Sequence, residues 1–280
     1  MTEEYTNFKN FQRSHVRHWF DFPSEHKNET LNFYASDNEE TFDKNASMDW
    51  KVQGGETPTS HITQDRTFTK DQISYKFNSE GFRGPEIKPS DAEYKVLHYG
   101  GSFSFGSGLN EDEIYIHHLD QLLKQKYSST HYWNISPANT MFEITRLIED
   151  HIIKLEPNAI VISAPRFIQS IDFMTKAIKE TSTDKEIPKV FLDVKMQTKR
   201  HFRDIMFRYL NLICSQYNVK IIMQMHQYKM WVGFEPKIDL HENLINMKIE
   251  NNDFIDLARD CRHPGTRSHK KIAQEIFKLL

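Results

Sequence analysis

Val96-Leu97-His98-Tyr99-Gly100-Gly101-Ser102 decides how this chain is read, because a short apolar run ends there in two glycines and a serine. An apolar run of this kind reads as a short strand ending in the glycine turn. The glycines let the backbone turn sharply and approach a ligand closely. Open α/β sheets bind ligands at the carboxyl edge of their strands, so the Ser102 hydroxyl is expected at that edge. A second segment, Asp260-Cys261-Arg262-His263-Pro264, lies near the other end of the chain. Its carboxylate and imidazole are three residues apart, a spacing at which one loop presents both. Together the two segments offer a nucleophile, a base and a group to orient the base.

From Tyr94 onward the pattern alternates strand and helix. It predicts strands over 94–99, 131–135, 159–162 and 219–225, with 254–257 as a fifth short element. Helical spacing of apolar residues appears over 111–127 (Ile114, Ile116, Leu119, Leu122, Leu123) and over 141–155 (Ile144, Leu147, Ile148, Ile152, Leu155). Pro157 stops the second helix, a polar helical region follows Pro165, and further helices are predicted over 192–217 and 268–280. Strands separated by helices imply a parallel sheet with right-handed crossovers, hence a three-layer α/β/α sandwich.

Residues 1–90 differ from the rest. They are rich in Asn, Asp, Glu, Thr and Ser, and the stretches 43–47 and 53–58 read as turns. They are expected to form an irregular, partly β amino-terminal extension packed on the α/β domain of residues 91–280. Its anchors would be Tyr5, Phe8, Phe11, Trp19, Phe20, Phe22 and Trp50; this aromatic content argues against a disordered arm.

Composition narrows the function classes. A net charge of -3 with both signs interspersed gives no basic face for nucleic acid. The two cysteines, Cys214 and Cys261, make no disulfide framework and fit a reducing compartment. Cys261 is read as a small filler beside the Asp–His loop. The amino terminus lacks a signal-peptide pattern and no apolar stretch is long enough to span a bilayer, so a cytoplasmic location is expected.

The two chemical segments resemble the signature blocks of the SGNH, or GDSL-like, hydrolase family. That family carries a Gly-Asp-Ser block after its first strand and an Asp-x-x-His block before its last helix. Here the first block runs from Gly100-Gly101-Ser102 through Phe103-Ser104-Phe105-Gly106-Ser107-Gly108-Leu109, and the last is Asp260 to His263. Asn78-Ser79-Glu80-Gly81-Phe82-Arg83-Gly84 also looks like a segment that precedes the first strand in bacterial and phage members. The resemblance covers residues 75–280 and implies the SGNH-type sandwich, with Ser102 as nucleophile, His263 as general acid–base and Asp260 as its orienter.

The chain departs from the family at the oxyanion hole. Gly101 stands where the family has aspartate, and Asn139 stands at the place of the second block's glycine. The third block's Gly-x-Asn-Asp is replaced by Ser163-Ala164-Pro165-Arg166-Phe167. The resemblance therefore implies the Ser102 backbone N–H as one oxyanion donor, with Asn139 and Arg166 as candidates for the others.

These residues point to a serine esterase acting on an acyl or acetyl ester, on a small molecule or a carbohydrate. Two alternatives stand beside it: an O-acyltransferase using the same triad, and a catalytically inactive SGNH-like binding or structural protein. No cofactor or metal is implied, and the oligomeric state is not legible. His226 and Gln227, after the fourth strand, are candidate substrate contacts. His117 and His118, adjacent on a helix, point to different faces and make no metal site. Lys195, Lys199, Arg200 and Arg203 read as a solvated helix face. Phe103 and Phe105 are expected to pack beneath the serine loop.

Overall fold

The computed structural model describes residues 25–35, 37–46, 68–136, 141–163, 189–226, 238–249, 254–261 and 263–280. Before the main sheet come β1 (Thr30–Leu31), α1 (Glu39–Ala46) and β2 (Tyr75–Lys76), with β1 and β2 paired antiparallel. The stretch 43–47, expected as a turn, instead belongs to α1 as far as Ala46, a helix that carries Glu39 and Glu40 in its first turn. Carboxylates there oppose the positive end of the helix dipole. The expected aromatic anchors of this segment, Tyr5 to Phe22 and Trp50, and the turn at 53–58 lie outside the described residues.

The main sheet is built from β3 (Tyr94–Gly100), β4 (Thr130–Ile135), β5 (Ala159–Ser163), β6 (Lys220–His226) and β7 (Leu244–Ile249). Its order is β4-β3-β5-β6-β7, and each adjacent pair is parallel. Among the described residues these helices accompany it: the short α2 (Ser102–Phe105), α3 (Tyr115–Leu123), α4 (Met141–Leu155), α5 (Lys189–Tyr217) and α6 (Thr266–Phe277). The helix expected over 111–127 breaks into a 3₁₀ turn, Glu111–Glu113, and α3, with Ile114 extended between them.

The fifth strand differs from expectation. It is Leu244–Ile249, while Asp256 and Leu257 enter only local pairing, Leu257 bridging Pro264. β7 lies at the sheet's edge, and Asn246 and Lys248 interrupt its apolar run. A buried interior strand carries no such interruption: all five residues of β5 are buried.

Two cores lie on the sheet's two faces. Leu97, Tyr99, Ile160, Ile162, Ile221 and Met223 pack against Ile144, Ile148 and Ile152 of α4 and Phe207, Leu210 and Ile213 of α5. Val96, Val161, Ile222 and Met247 pack against Ile116 and Leu119 of α3 and Ile272 and Ile276 of α6. The protein is thus a three-layer α/β/α sandwich around a parallel sheet, and its architecture fits the SGNH type.

Arg203, expected on a solvated face, is 1% exposed. It lies at i−4 and i−7 from the buried Phe207 and Leu210 on α5, so helical geometry carries it into the packed side. There its Nε and Nη2 donate to Asp204 at 2.9 and 2.6 Å. The side chains of Lys195, Lys199 and Arg200, and the helical region expected after Pro165, lie outside the described residues.

Candidate active site

Sheet order locates the site. After β3 the chain crosses to β4 on one side, and later strands fill the other side beginning with β5. The strand order reverses at β3, and such a switch point opens a crevice at the carboxyl edge of an α/β sheet. β3 ends at Gly100, and Ser102 begins α2 with Gly101 as its N-cap. Gly100 is required by space: a Cβ there would stand 2.3 Å from Ser104 Oγ and 3.0 Å from the Ser163 carbonyl oxygen. The turn therefore presents Ser102 half-buried while Phe103, Ser104 and Phe105 are buried beneath it. Phe103 joins the core under α3 and α6, and Phe105 packs with Ile73, Tyr75 and Phe77.

The second half of the site is a tight loop before α6. The Ala258 N–H donates to the His263 carbonyl at 2.9 Å and the Gly265 N–H to the Asp256 carbonyl at 2.8 Å. Asp256 then caps α6 from outside the helix, accepting Arg267 N–H at 3.0 Å, Ser268 N–H at 2.9 Å and the Ser268 hydroxyl at 2.8 Å. A carboxylate on those first-turn donors satisfies groups that have no partner within the helix. At the tip, Cys261 adopts φ 54, a left-handed conformation that reverses the chain between Asp260 and His263.

These two loops bring together residues 161 apart in sequence. Ser102 Oγ lies 2.7 Å from His263 Nε2, and His263 Nδ1 lies 2.5 Å from Asp260 Oδ2. The His263 backbone N–H also donates to Asp260 Oδ1 at 3.1 Å. Asp260 is 0% exposed at its side chain and His263 20%, so the imidazole reaches solvent while its carboxylate does not. With Nδ1–H donating to the carboxylate, Nε2 is left to accept the serine proton. Cys261, inside the same loop, is no competing nucleophile. Burial, with Asp260 and Asp37 nearby, pushes its thiol up to about 12, so it stays protonated.

The other sequence candidates fall differently. The Ser102 N–H sits in the first turn of α2, where intrahelical acceptors are lacking. Asn139, Arg166 and Gln227 lie outside the described residues, and His226 is the last residue of β6. His117 and His118 have ring centroids 6.3 Å apart at an interplanar angle of 77°. Among the described residues no group of three His, Cys, Asp or Glu side chains is arranged to hold a metal ion, and no helix is long and apolar enough to cross a membrane.

Sequence reasoning missed the groups that brace these loops. Arg83, fully buried, donates from Nη1 to the carbonyls of Phe105 and Gly106 at 2.8 and 2.9 Å. From Nη2 it donates to those of Leu109 and Ser74 at 2.6 and 3.1 Å. It lies against Tyr75 and Phe105, 4.6 and 5.4 Å from the ring centroids. Arg259, the residue before Asp260, makes a fully buried ion pair with Asp37, Nη2 to Oδ2 at 2.6 Å. Its position beside the Asp–His block was the one available signal.

No protein-family model matches the chain, and no curated protein matches it. Among solved structures it is similar to the psychrotrophic esterase EstA from Pseudoalteromonas sp., in a form inhibited by monoethylphosphonate. That likeness has 11% identity and a TM-score of 0.36 over 66% of this chain and 96% of that one. It is also similar to an acetyl xylan esterase, with 15% identity and a TM-score of 0.37 over 66% of this chain and 99% of that one.

Proposed function

We propose that the protein is a serine ester hydrolase whose nucleophile is Ser102, with His263 as general acid–base and Asp260 as the group that orients it. The observation that carries this reading is the contact of Ser102 Oγ with His263 Nε2 at 2.7 Å while Asp260 holds Nδ1 at 2.5 Å. In the first half-reaction His263 Nε2 takes the Ser102 proton as Oγ adds to the ester carbonyl carbon. The tetrahedral oxyanion meets the Ser102 N–H, with Asn139 and Arg166 as further candidate donors. Collapse expels the alcohol, which receives the proton back from His263, and leaves an acyl-serine. In the second half-reaction His263 deprotonates a water that attacks the acyl carbon, and the carboxylic acid departs as Ser102 regains its proton. No metal or redox group takes part in this sequence. The substrate class is an acyl ester, an acetyl group on a sugar hydroxyl being one example.

The test is a fluorophosphonate, which phosphonylates an activated serine, read by intact mass. Wild type is expected to gain one phosphonyl group, and Ser102→Ala none. A folded wild type that stays unlabelled overturns the reading in favour of an inactive binding or structural protein. Product analysis of an acetyl ester with and without a sugar acceptor then separates hydrolysis from acyl transfer.

A further inference from the structure

We infer that Asp37, far from the triad in sequence, is a positioning residue of the catalytic centre, the hub of a closed hydrogen-bonded ring that fixes the Ser102 loop against the Asp260–His263 loop. The inference rests on the ester-hydrolase reading for its activity readout, but the ring itself is a matter of geometry. Each link joins a different part of the chain. Asp37 accepts Arg259 Nε at 3.1 and 3.2 Å and Nη2 at 2.6 Å. The Arg259 backbone N–H donates to the Gly108 carbonyl at 3.0 Å. The Gly108 N–H donates to Tyr75 Oη at 2.7 Å. The Tyr75 hydroxyl closes the ring by donating to Asp37 Oδ2 at 2.5 Å. Gly108 is six residues past the nucleophile, and Arg259 directly precedes the carboxylate of the triad. Both loops are thereby referred to one carboxylate.

The surroundings leave the hub little freedom. Every polar group of the Arg259 guanidinium is engaged by the segment before the sheet: Nη2 also donates to the Asn32 carbonyl, and Nη1 to the Lys70 carbonyl at 2.9 Å. Its Cζ lies over the Phe33 ring, 4.3 Å from the centroid. Asp37, Arg259 and Tyr75 are each fully buried. A buried carboxylate that accepts from both a guanidinium and a phenol has strongly directional partners, and a fully satisfied buried network of this kind specifies one arrangement. Catalysis depends on such specification, because a misplacement of about 1 Å between reacting groups costs roughly a hundredfold in rate. The β1–α1–β2 segment is therefore part of the working site through Asp37, although none of its side chains is asked to touch substrate.

The test uses the full chain with two single variants, Asp37→Asn, which keeps the shape and removes the charge, and Tyr75→Phe, which keeps the charge and opens the two links made by the Tyr75 hydroxyl. Hydrolysis of p-nitrophenyl acetate is measured well below the melting temperature of each variant. In parallel, proton NMR follows the far-downfield signal of the His263 Nδ1–H held by Asp260. The expected result is a fall in kcat of roughly tenfold to a hundredfold for Asp37→Asn with KM held. A smaller fall is expected for Tyr75→Phe, and the downfield signal moves or broadens in both. A purely structural role would lower the melting temperature and leave kcat and the signal of the folded fraction unchanged; that outcome overturns the inference. If Asp37→Asn does not fold, Tyr75→Phe decides alone. If the wild type hydrolyses no ester and takes no phosphonate, the hydrolase reading fails, and the NMR signal still decides whether Asp37 positions the Asp260–His263 pair.

Discussion

The backbone of Gly108 passes so close to that of Arg259 that a Cβ on the glycine would stand 2.9 Å from Arg259 N, 2.9 Å from Ala258 Cβ and 3.0 Å from Asp260 N. The loop after Ser102 and the loop that carries Asp260 and His263 touch at this point, and only a residue without a side chain fits between them. Its φ of +77 adds a second requirement for glycine. Gly108→Ala is expected to push the loops apart. Loss of more than about 1 kcal/mol of stability is expected from the left-handed conformation and the overlap together. Fluorophosphonate labelling of the folded fraction should slow, read as the second-order rate constant against wild type. An unchanged labelling rate would show that the loops are held together elsewhere.

Arg83 places its guanidinium among four carbonyl oxygens, three of them in the loop that follows Ser102. Arg83→Met retains much of the side-chain volume and removes the guanidinium from those acceptors, of which the Gly106 carbonyl keeps the Leu109 N–H at 3.2 Å. Each buried acceptor left unpaired costs about 1–3 kcal/mol. The urea midpoint at neutral pH should therefore fall by the equivalent of at least about 3 kcal/mol. A midpoint within experimental error of wild type would mean that water replaces the guanidinium.

The sheet and the Ser102–His263–Asp260 cluster were legible in the sequence for opposite reasons. Parallel strands buried on both faces are written as continuous apolar runs, so Val96 to Tyr99 and Ala159 to Ile162 stood out locally. Ser102 and His263 were legible because each sits in a short segment with its own composition. β7 was missed because an edge strand tolerates polar positions, and Asn246 and Lys248 erase the run. The Asp37–Arg259 pair could not be read as a pair, since its partners are 222 residues apart and nothing local marks Asp37. The buried Arg203 was misread because a polar residue at an inward helical position looks, in sequence, like a solvated one.

Asp260 accepts the His263 Nδ1 proton at 2.5 Å, and that bond leaves Nε2 as the acceptor facing Ser102. Asp260→Asn offers an amide in place of a carboxylate, with an N–H as well as a C=O to present to Nδ1. An imidazole that accepts from that amide carries its proton on Nε2, where it no longer receives the serine proton. The expected loss in kcat is on the order of 10⁴, the size this change has in a serine protease. The melting temperature should change far less than the rate. Parity of kcat between Asp260→Asn and wild type, measured on p-nitrophenyl acetate, would remove Asp260 from the mechanism.

Two buried imidazoles near Ser102 contribute to the response of stability to acid, beside His118, His131 and His151, which burial also lowers. Burial lowers His98, on β3, from 6.5 to about 3. His269, on α6, also falls from 6.5 to about 3, by burial first and then by repulsion from His118, His263 and Arg83. His269 Nδ1 accepts the Tyr115 N–H at 2.9 Å, a bond that protonation at Nδ1 would break. Well above pH 6.5 both rings are neutral in the folded and unfolded chain, so neither contributes to a pH dependence there. Below it the unfolded chain binds two protons that the folded chain refuses, and stability falls as pH falls toward 3. Each group contributes a slope of about 1.4 kcal/mol per pH unit once its unfolded form is fully protonated. Asp37, raised by burial, works in the opposite sense at lower pH, so the comparison is made as a difference between variants. His98→Leu keeps an apolar side chain against Tyr115 and removes one of the two titrations. Its urea-derived stability, measured at pH 7 and at pH 5, should drop less than that of wild type by up to about 2 kcal/mol. Equal drops in the two proteins would mean that His98 takes up its proton in the folded state as readily as in the unfolded one.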